Sequence, residues 1–129
     1  MVLKESDLVN RWVNEFHPQA LQWRRVRLGV VPDKETAREY NVILRWADLV
    51  YVEEGVVYIV EAKLRPTAGA IGQLEHYKLL FAKTPSFSQY INYPVKMQLL
   101  TNYLDNEIVE LCSRKDIDYV YYQLAETEK

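Results

Sequence analysis

The segment 44–62 constrains this chain more than any other, because two runs rich in Val, Ile, Leu and Tyr, residues 44–52 and 56–62, are parted only by Glu53-Glu54-Gly55. That composition favours strands, and so short a break between two strands is a hairpin. Its register decides which side chains meet. If Glu54-Gly55 is a two-residue turn, Glu53 pairs with Val56, Asp48 stands opposite Glu61, and Trp46 faces Lys63. Opposed residues have Cβ atoms roughly 4.5–5.5 Å apart and alternate residues share a face, so two carboxylates and one ammonium would converge in a cation site. A three-residue turn with Gly55 left-handed would instead pair Val52 with Val56 and set Asp48 opposite Val60, sending the acids to opposite sides. A purely structural reading also stands, in which Asp48 caps a strand end and Glu61 pairs with Lys63 or Arg65 at the sheet margin.

The flanking sequence supplies the rest of an α/β domain. Ser6 is placed to cap a helix whose Leu8, Val9, Trp12, Val13 and Phe16 recur at helical spacing, closed by His17-Pro18. Residues 21–30 read as a strand and 32–40 as a polar loop or short helical excursion. After Pro66-Thr67, residues 69–83 form a second helix, with Ala70, Leu74, Tyr77 and Phe81 as its apolar stripe. A loop over 85–94 carries Phe87, Tyr90 and Tyr93, followed by a buried strand over 95–101, a helix over 106–114 and a last strand over 119–124. The expected order is helix, three strands, helix, strand, helix, strand, in one domain spanning 1–129 with a mixed central sheet flanked by helices.

Composition narrows the classes. With 49% hydrophobic and 12% aromatic residues in 129, the chain can bury a real core. No apolar run approaches the roughly 18 residues of a membrane span and the first residues lack a signal-peptide pattern, so a cytoplasmic, intracellular protein is expected, with a viral or phage origin open. Cys112 is the only cysteine, which excludes an intrachain disulfide and any metal site built from several cysteines of this chain; it reads as a core residue. The net charge of −2 makes the whole chain no magnet for nucleic acid, but acids clustered around a metal would leave a groove free to carry cations. Arg24, Arg25, Arg27, Arg45, Arg65, Lys78 and Lys83 are the candidates for phosphate contacts. Strand alternation would put Arg25 and Arg27 on one side and Arg24 on the other.

Asp48, then Glu61-Ala62-Lys63 at the end of an apolar strand, then Gln73-Leu74-Glu75-His76-Tyr77 on the next helix, resembles the core of the PD-(D/E)XK nuclease superfamily, and the Gln-x-x-x-Tyr run resembles its RecB-type branch. The motifs occupy 48–77, and the order of elements extends the resemblance over most of the chain. Ala47 stands where the family name has proline. The resemblance implies a restriction-endonuclease-like core and a nuclease dependent on Mg2+ or Mn2+ that acts on DNA, with RNA left open, in repair, recombination or mobile-element processing. Phosphodiester hydrolysis needs an activated water, stabilisation of charge on the phosphoryl oxygens and help for the leaving oxygen. Hard cations suit oxygen ligands, so Asp48, Glu61 and the Ala62 carbonyl would hold the ion, while Lys63 would orient the water or stabilise the transition state. In the resembled family Gln73 and Tyr77 position the active site or DNA, and their spacing of four puts them on one helix face. Relatives carry a further acid on the first helix, for which Glu15 is chosen here over Glu5. His17 and His76 sit at no zinc-binding spacing.

A second class of function competes with the enzyme: a catalytically silent nuclease-fold module that binds DNA or a protein partner. The small size and the aromatic residues of 87–93, expected to be exposed, further motivate a homodimer.

Overall fold

The computed structural model describes residues 3–29 and 45–123. Its elements are α1 (Glu5–Phe16), β1 (Leu21–Leu28), β2 (Arg45–Glu53), β3 (Val56–Lys63), α2 (Ala68–Phe81), a 3-10 helix (Pro85–Tyr90), β4 (Val95–Thr101), α3 (Asn106–Arg114) and β5 (Ile117–Tyr121). The expected loop over 32–40 lies outside the described residues.

The hairpin takes the two-residue turn. Glu54 and Gly55 have φ of 52° and 80°, and two left-handed residues make the turn whose twist matches that of antiparallel strands. Glu53 therefore pairs with Val56, and the ladder runs outward as far as Leu49 opposite Val60. One more step in that register sets Asp48 opposite Glu61, where regular pairing stops.

The strands form one mixed sheet in chain order, β1 to β5, antiparallel across β1, β2 and β3 and parallel across β3, β4 and β5. α1 covers one face, where Leu8, Val9, Trp12 and Val13 pack on Leu49, Tyr51, Val60, Ala62 and Leu100. α2 and α3 cover the other, where Leu74, Tyr77, Phe81, Ile108 and Cys112 meet Val50, Val57, Ile59 and Leu99. Covered on both faces, β3 reads as a nearly continuous apolar run, as strands in parallel pairing do. Val57, Ile59, Val60 and Ala62 are fully buried. Each large side chain among them contributes roughly 1.5–3 kcal/mol, which offsets the cost of burying a polar neighbour such as Glu61.

Local chemistry sets the element ends, with several departures from expectation. Lys4, not Ser6, is the residue before α1, and the Asp7 carboxylate accepts from its backbone N–H at 3.1 Å. Thr67 caps α2 by accepting from Ala70 N–H at 3.3 Å, and Asp105 caps α3 through Glu107 and Ile108 at 3.0 and 3.3 Å. Phe16 is 54% exposed and meets Tyr122 edge to face instead of joining the core. β5 begins two residues earlier than the aromatic run suggested, because Asp116 adopts a left-handed conformation that ends the α3 turn at once. The aromatic segment is mostly buried. Phe87 and Tyr90 sit in the core against Trp23 and Phe81, leaving Ile91 and Tyr93 outside, so the surface that motivated a homodimer is largely absent. Among the described residues no helix is long and apolar enough to cross a membrane.

Candidate active site

The site forms where β2 leaves β3. Glu61 lies on a central strand and is only 5% exposed, beside Ala62 and Leu99 in the sheet interior. Across from it, Asp48 turns its carboxylate into the gap between the strands and accepts a hydrogen bond from Ala62 N–H at 2.8 Å. A side chain thus satisfies a backbone donor that the ladder has abandoned. Lys63, two residues beyond Glu61, brings Nζ to 3.5 Å from Glu61 Oε2 and is partly exposed. The other oxygen, Glu61 Oε1, is buried with no hydrogen-bond partner among the described residues.

These surroundings displace the Glu61 ionisation. Burial pushes its pKa up to about 8, the adjacent Asp48 charge adds to the rise, and Lys63 opposes both. A carboxyl held neutral near physiological pH beside a second carboxylate is an acid pair short of positive charge.

A second irregularity aims Asp48 toward α1. Arg25 has a φ of 51°, left-handed for a non-glycine residue, and the β1–β2 ladder skips it, passing from Arg24 opposite Leu49 to Val26 opposite Ala47. Trp23 and Val26, three residues apart, consequently pack on the same core, as do Ala47 and Val50 across from them. Simple alternation would send residues three apart to opposite faces. The two backbones have slipped together, so Arg24, Arg25 and Asp48 all line one cavity of about 380 Å3 with Lys4, Glu5, Ser6, Val9 and Asn10 of the α1 end. The expected separation of Arg24 from Arg25 is therefore wrong, and its cause is the left-handed residue. Arg24 also bonds Asn10 and reaches Gln22 at 3.1 Å.

The remaining candidates divide. Glu15 is not at this cavity: its Oε1 accepts from Tyr122 Oη at 2.6 Å, and ten helical residues set it about 15 Å along the axis from Glu5. Glu5, the candidate passed over, lines the cavity instead. Gln73 is half-buried on α2, one turn before the buried Tyr77, and forms no hydrogen bond to Asp48, Glu61 or Lys63 among the described residues. Arg27 lies with Arg25 around the Trp46 ring. Arg65 stacks over Tyr103 at 4.8 Å, beyond the end of β3. Lys78 and Lys83 border a separate groove with Leu79, Met97 and Lys115, away from Asp48. The side chain of Arg45 lies outside the described residues.

Trp46 also departs from expectation and does not face Lys63. Its sheet partner is Arg27, because β2 has left β3 before reaching Lys63.

Two carboxylates, one of them with a buried, unpartnered oxygen, offer a divalent cation hard ligands of the right charge, although no three His, Cys, Asp or Glu side chains converge at metal-binding distance among the described residues. Two protein acids suffice for Mg2+, which keeps several waters.

No family model matches the sequence, and no curated protein matches it significantly. Solved structures do match. A repair endonuclease from Pyrococcus abyssi aligns with a TM-score of 0.57 at 14% identity, over 95% of this chain and 49% of that one. EndoMS, solved in complex with double-stranded DNA, aligns at 0.59 and 13% identity, over 98% of this chain and 48% of its own. A protein of unknown function aligns at 0.55 and 15%, covering 95% and 59% respectively. The chain spans about half the length of these structures. What they share with it is the fold, and the five-stranded mixed sheet flanked by helices is a restriction-endonuclease-like α/β fold.

Proposed function

We propose that this chain is a metal-dependent nuclease that hydrolyses DNA phosphodiester bonds, in repair, recombination or mobile-element DNA processing. One observation carries the reading: Asp48, Glu61 and Lys63 meet where β2 and β3 part, in a fold shared with repair endonucleases, one of them solved on DNA.

Asp48, Glu61 and the Ala62 carbonyl would hold Mg2+ or Mn2+, and Glu5 borders the same cavity. When bound, the ion supplies Lewis-acid stabilisation of the phosphoryl oxygens and lowers the pKa of a water. The protein groups have separate tasks. Asp48 is fixed by its bond to Ala62 N–H, so it costs no reorganisation during reaction. Glu61 ionises when a positive partner supplements Lys63, which offsets the burial and the Asp48 repulsion that raise its pKa. Lys63, partly exposed, presents ammonium protons to a phosphate oxygen or to the attacking water. Its charge is what the developing phosphorane needs; removing a proton from it would discard that charge beside two acids. Arg24 and Arg25 line the cavity as phosphate contacts, and Gln73 and Tyr77 support the site from α2.

The test is cleavage of labelled DNA with and without added Mg2+ or Mn2+. Activity is expected in the wild type with metal and is lost in Asp48→Ala, Glu61→Ala and Lys63→Ala. DNA retention with no cleavage by the wild type at any metal concentration would assign the chain to the silent DNA-binding class instead.

A further inference from the structure

Trp46 packs into neither hydrophobic core of the described residues. It is 41% exposed on β2, whereas Trp12 is buried and Trp23 packs against the α2 side. Two guanidiniums attend its ring, Arg27 at 4.5 Å from the centroid and Arg25 at 5.8 Å. Among the described residues neither arginine forms an ion pair, and Arg25 shares a cavity with Glu5 and Asp48. That cavity lies at the end of α1, and the left-handed backbone of Arg25 brings it there. Trp46 is two residues from Asp48, a rise of roughly 6.6 Å along a strand.

A partly exposed indole bordered by two guanidiniums, next to a site for a phosphate, has the chemistry of a single-stranded nucleic-acid contact: the ring stacks a base and the guanidiniums hold the flanking phosphates. Bases inside a duplex are stacked on one another and offer no free face. We propose that Trp46, with Arg25 and Arg27, is a stacking platform for an unpaired DNA base beside the cleavage site, so that the substrate is single-stranded or carries a single-stranded segment there. The inference deepens the nuclease reading and takes its DNA substrate from it.

The experiment is fluorescence anisotropy with a labelled oligothymidylate and a blunt duplex of equal length, titrated with full-length protein in chelator so that nothing is cut. The wild type is expected to bind the single strand more tightly than the duplex. Trp46→Ala should weaken single-strand binding about tenfold and leave duplex binding unchanged, since loss of an aromatic–base stack costs a factor of about 5 to 160. Trp46→Phe should restore most of the loss. Trp46→Leu, which keeps apolar bulk without a π face, should bind like Trp46→Ala, which guards against misfolding as the cause. Equal single-strand affinity of Trp46→Ala and wild type, or an equal loss on both substrates, overturns the platform. Metal-dependent cleavage by the wild type without Trp46-dependent binding overturns the platform and leaves the nuclease reading standing. Trp46-dependent binding without cleavage supports the platform and overturns the nuclease.

Discussion

The Asp48 carboxylate accepts a hydrogen bond from the backbone N–H of Ala62, the residue between Glu61 and Lys63, at 2.8 Å. This bond ties the two strands together where their ladder ends and also brings one acid against the other. Asp48 therefore has separable structural and electrostatic roles.

Replacing Asp48 with Ala leaves the Ala62 donor unsatisfied, which should cost about 1–3 kcal/mol in urea unfolding. Asp48→Asn keeps an acceptor oxygen and removes the charge that repels Glu61. It should unfold at or above the wild-type urea midpoint at pH 7 and yet lose metal-dependent cleavage by at least about a hundredfold. Equal destabilisation in both variants would show that the Ala62 bond is not what the carboxylate contributes.

Glu61 makes the metal-free protein sensitive to alkali. Its folded pKa, raised to about 8 by burial and by Asp48, lies above the ordinary value of 4.5. Below pH 4.5 the group is protonated in both states and costs nothing. Between the two values the folded state holds a proton that the unfolded state has released, so stability falls as pH rises through this window and levels off above it. The loss is on the order of a few kcal/mol. Urea midpoints measured in chelator from pH 5 to 9 should decline for the wild type and stay nearly flat across this window for Glu61→Gln. Added Mn2+ should flatten the wild-type curve, because the ion replaces the proton.

Lys63 is a test of charge against fold. At neutral pH Glu61 is largely protonated in the metal-free protein, so Lys63→Met should change stability by less than about 1 kcal/mol despite breaking the 3.5 Å contact. Cleavage should fall by about 10²–10³, the usual effect of removing one transition-state donor. A variant that unfolds instead would mean that the ion pair serves the sheet.

Much of the fold was legible because the hairpin and helices obey local rules. The Glu54-Gly55 turn, the β4 bounds at Val95 and Thr101 and the α3 bounds at Asn106 and Arg114 all follow from turn chemistry, apolar run length and helix signals. The juxtaposition of Asp48 with Glu61 belongs to the two-residue turn, one of the two registers that the sequence left open. Three things did not follow. Arg25 adopts a left-handed conformation that its residue type does not announce, and this reverses the facing of every side chain counted across it. The choice between Glu5 and Glu15 depended on how α1 crosses the sheet, from Arg24 and Asp48 at its first turn to Tyr122 at its last. Periodicity gives a helix its buried face but not its direction over the strands. The burial of Phe87 and Tyr90 depends likewise on which neighbours the segment meets, here Trp23 and Phe81.

Tyr77 and Gln73 can be separated by choice of substitution. Tyr77 is 3% exposed within the α2-side core, so Tyr77→Ala should cost about 3–5 kcal/mol, whatever its part in catalysis. Tyr77→Phe keeps the ring and isolates the hydroxyl. If that hydroxyl supports the site, kcat should drop severalfold with little change in the unfolding midpoint. Gln73→Ala, on a half-buried position, should alter stability by under about 0.5 kcal/mol and reduce cleavage alone.

The two acids of α1 give the sharpest contrast. Glu15 is occupied by the Tyr122 hydroxyl, while Glu5 shares its cavity with Asp48 and Arg25. Glu5→Gln removes a negative charge from the edge of the proposed ion site, and calorimetric titration with Mn2+ should register weaker binding by about tenfold to a hundredfold, the scale of one outer carboxylate. Glu15→Gln should bind Mn2+ as the wild type does, because its position at the other end of the helix separates it from the site by more than a Debye length of about 8–10 Å. If Glu15→Gln weakens Mn2+ binding and Glu5→Gln does not, the ion lies elsewhere than between Asp48 and Glu61.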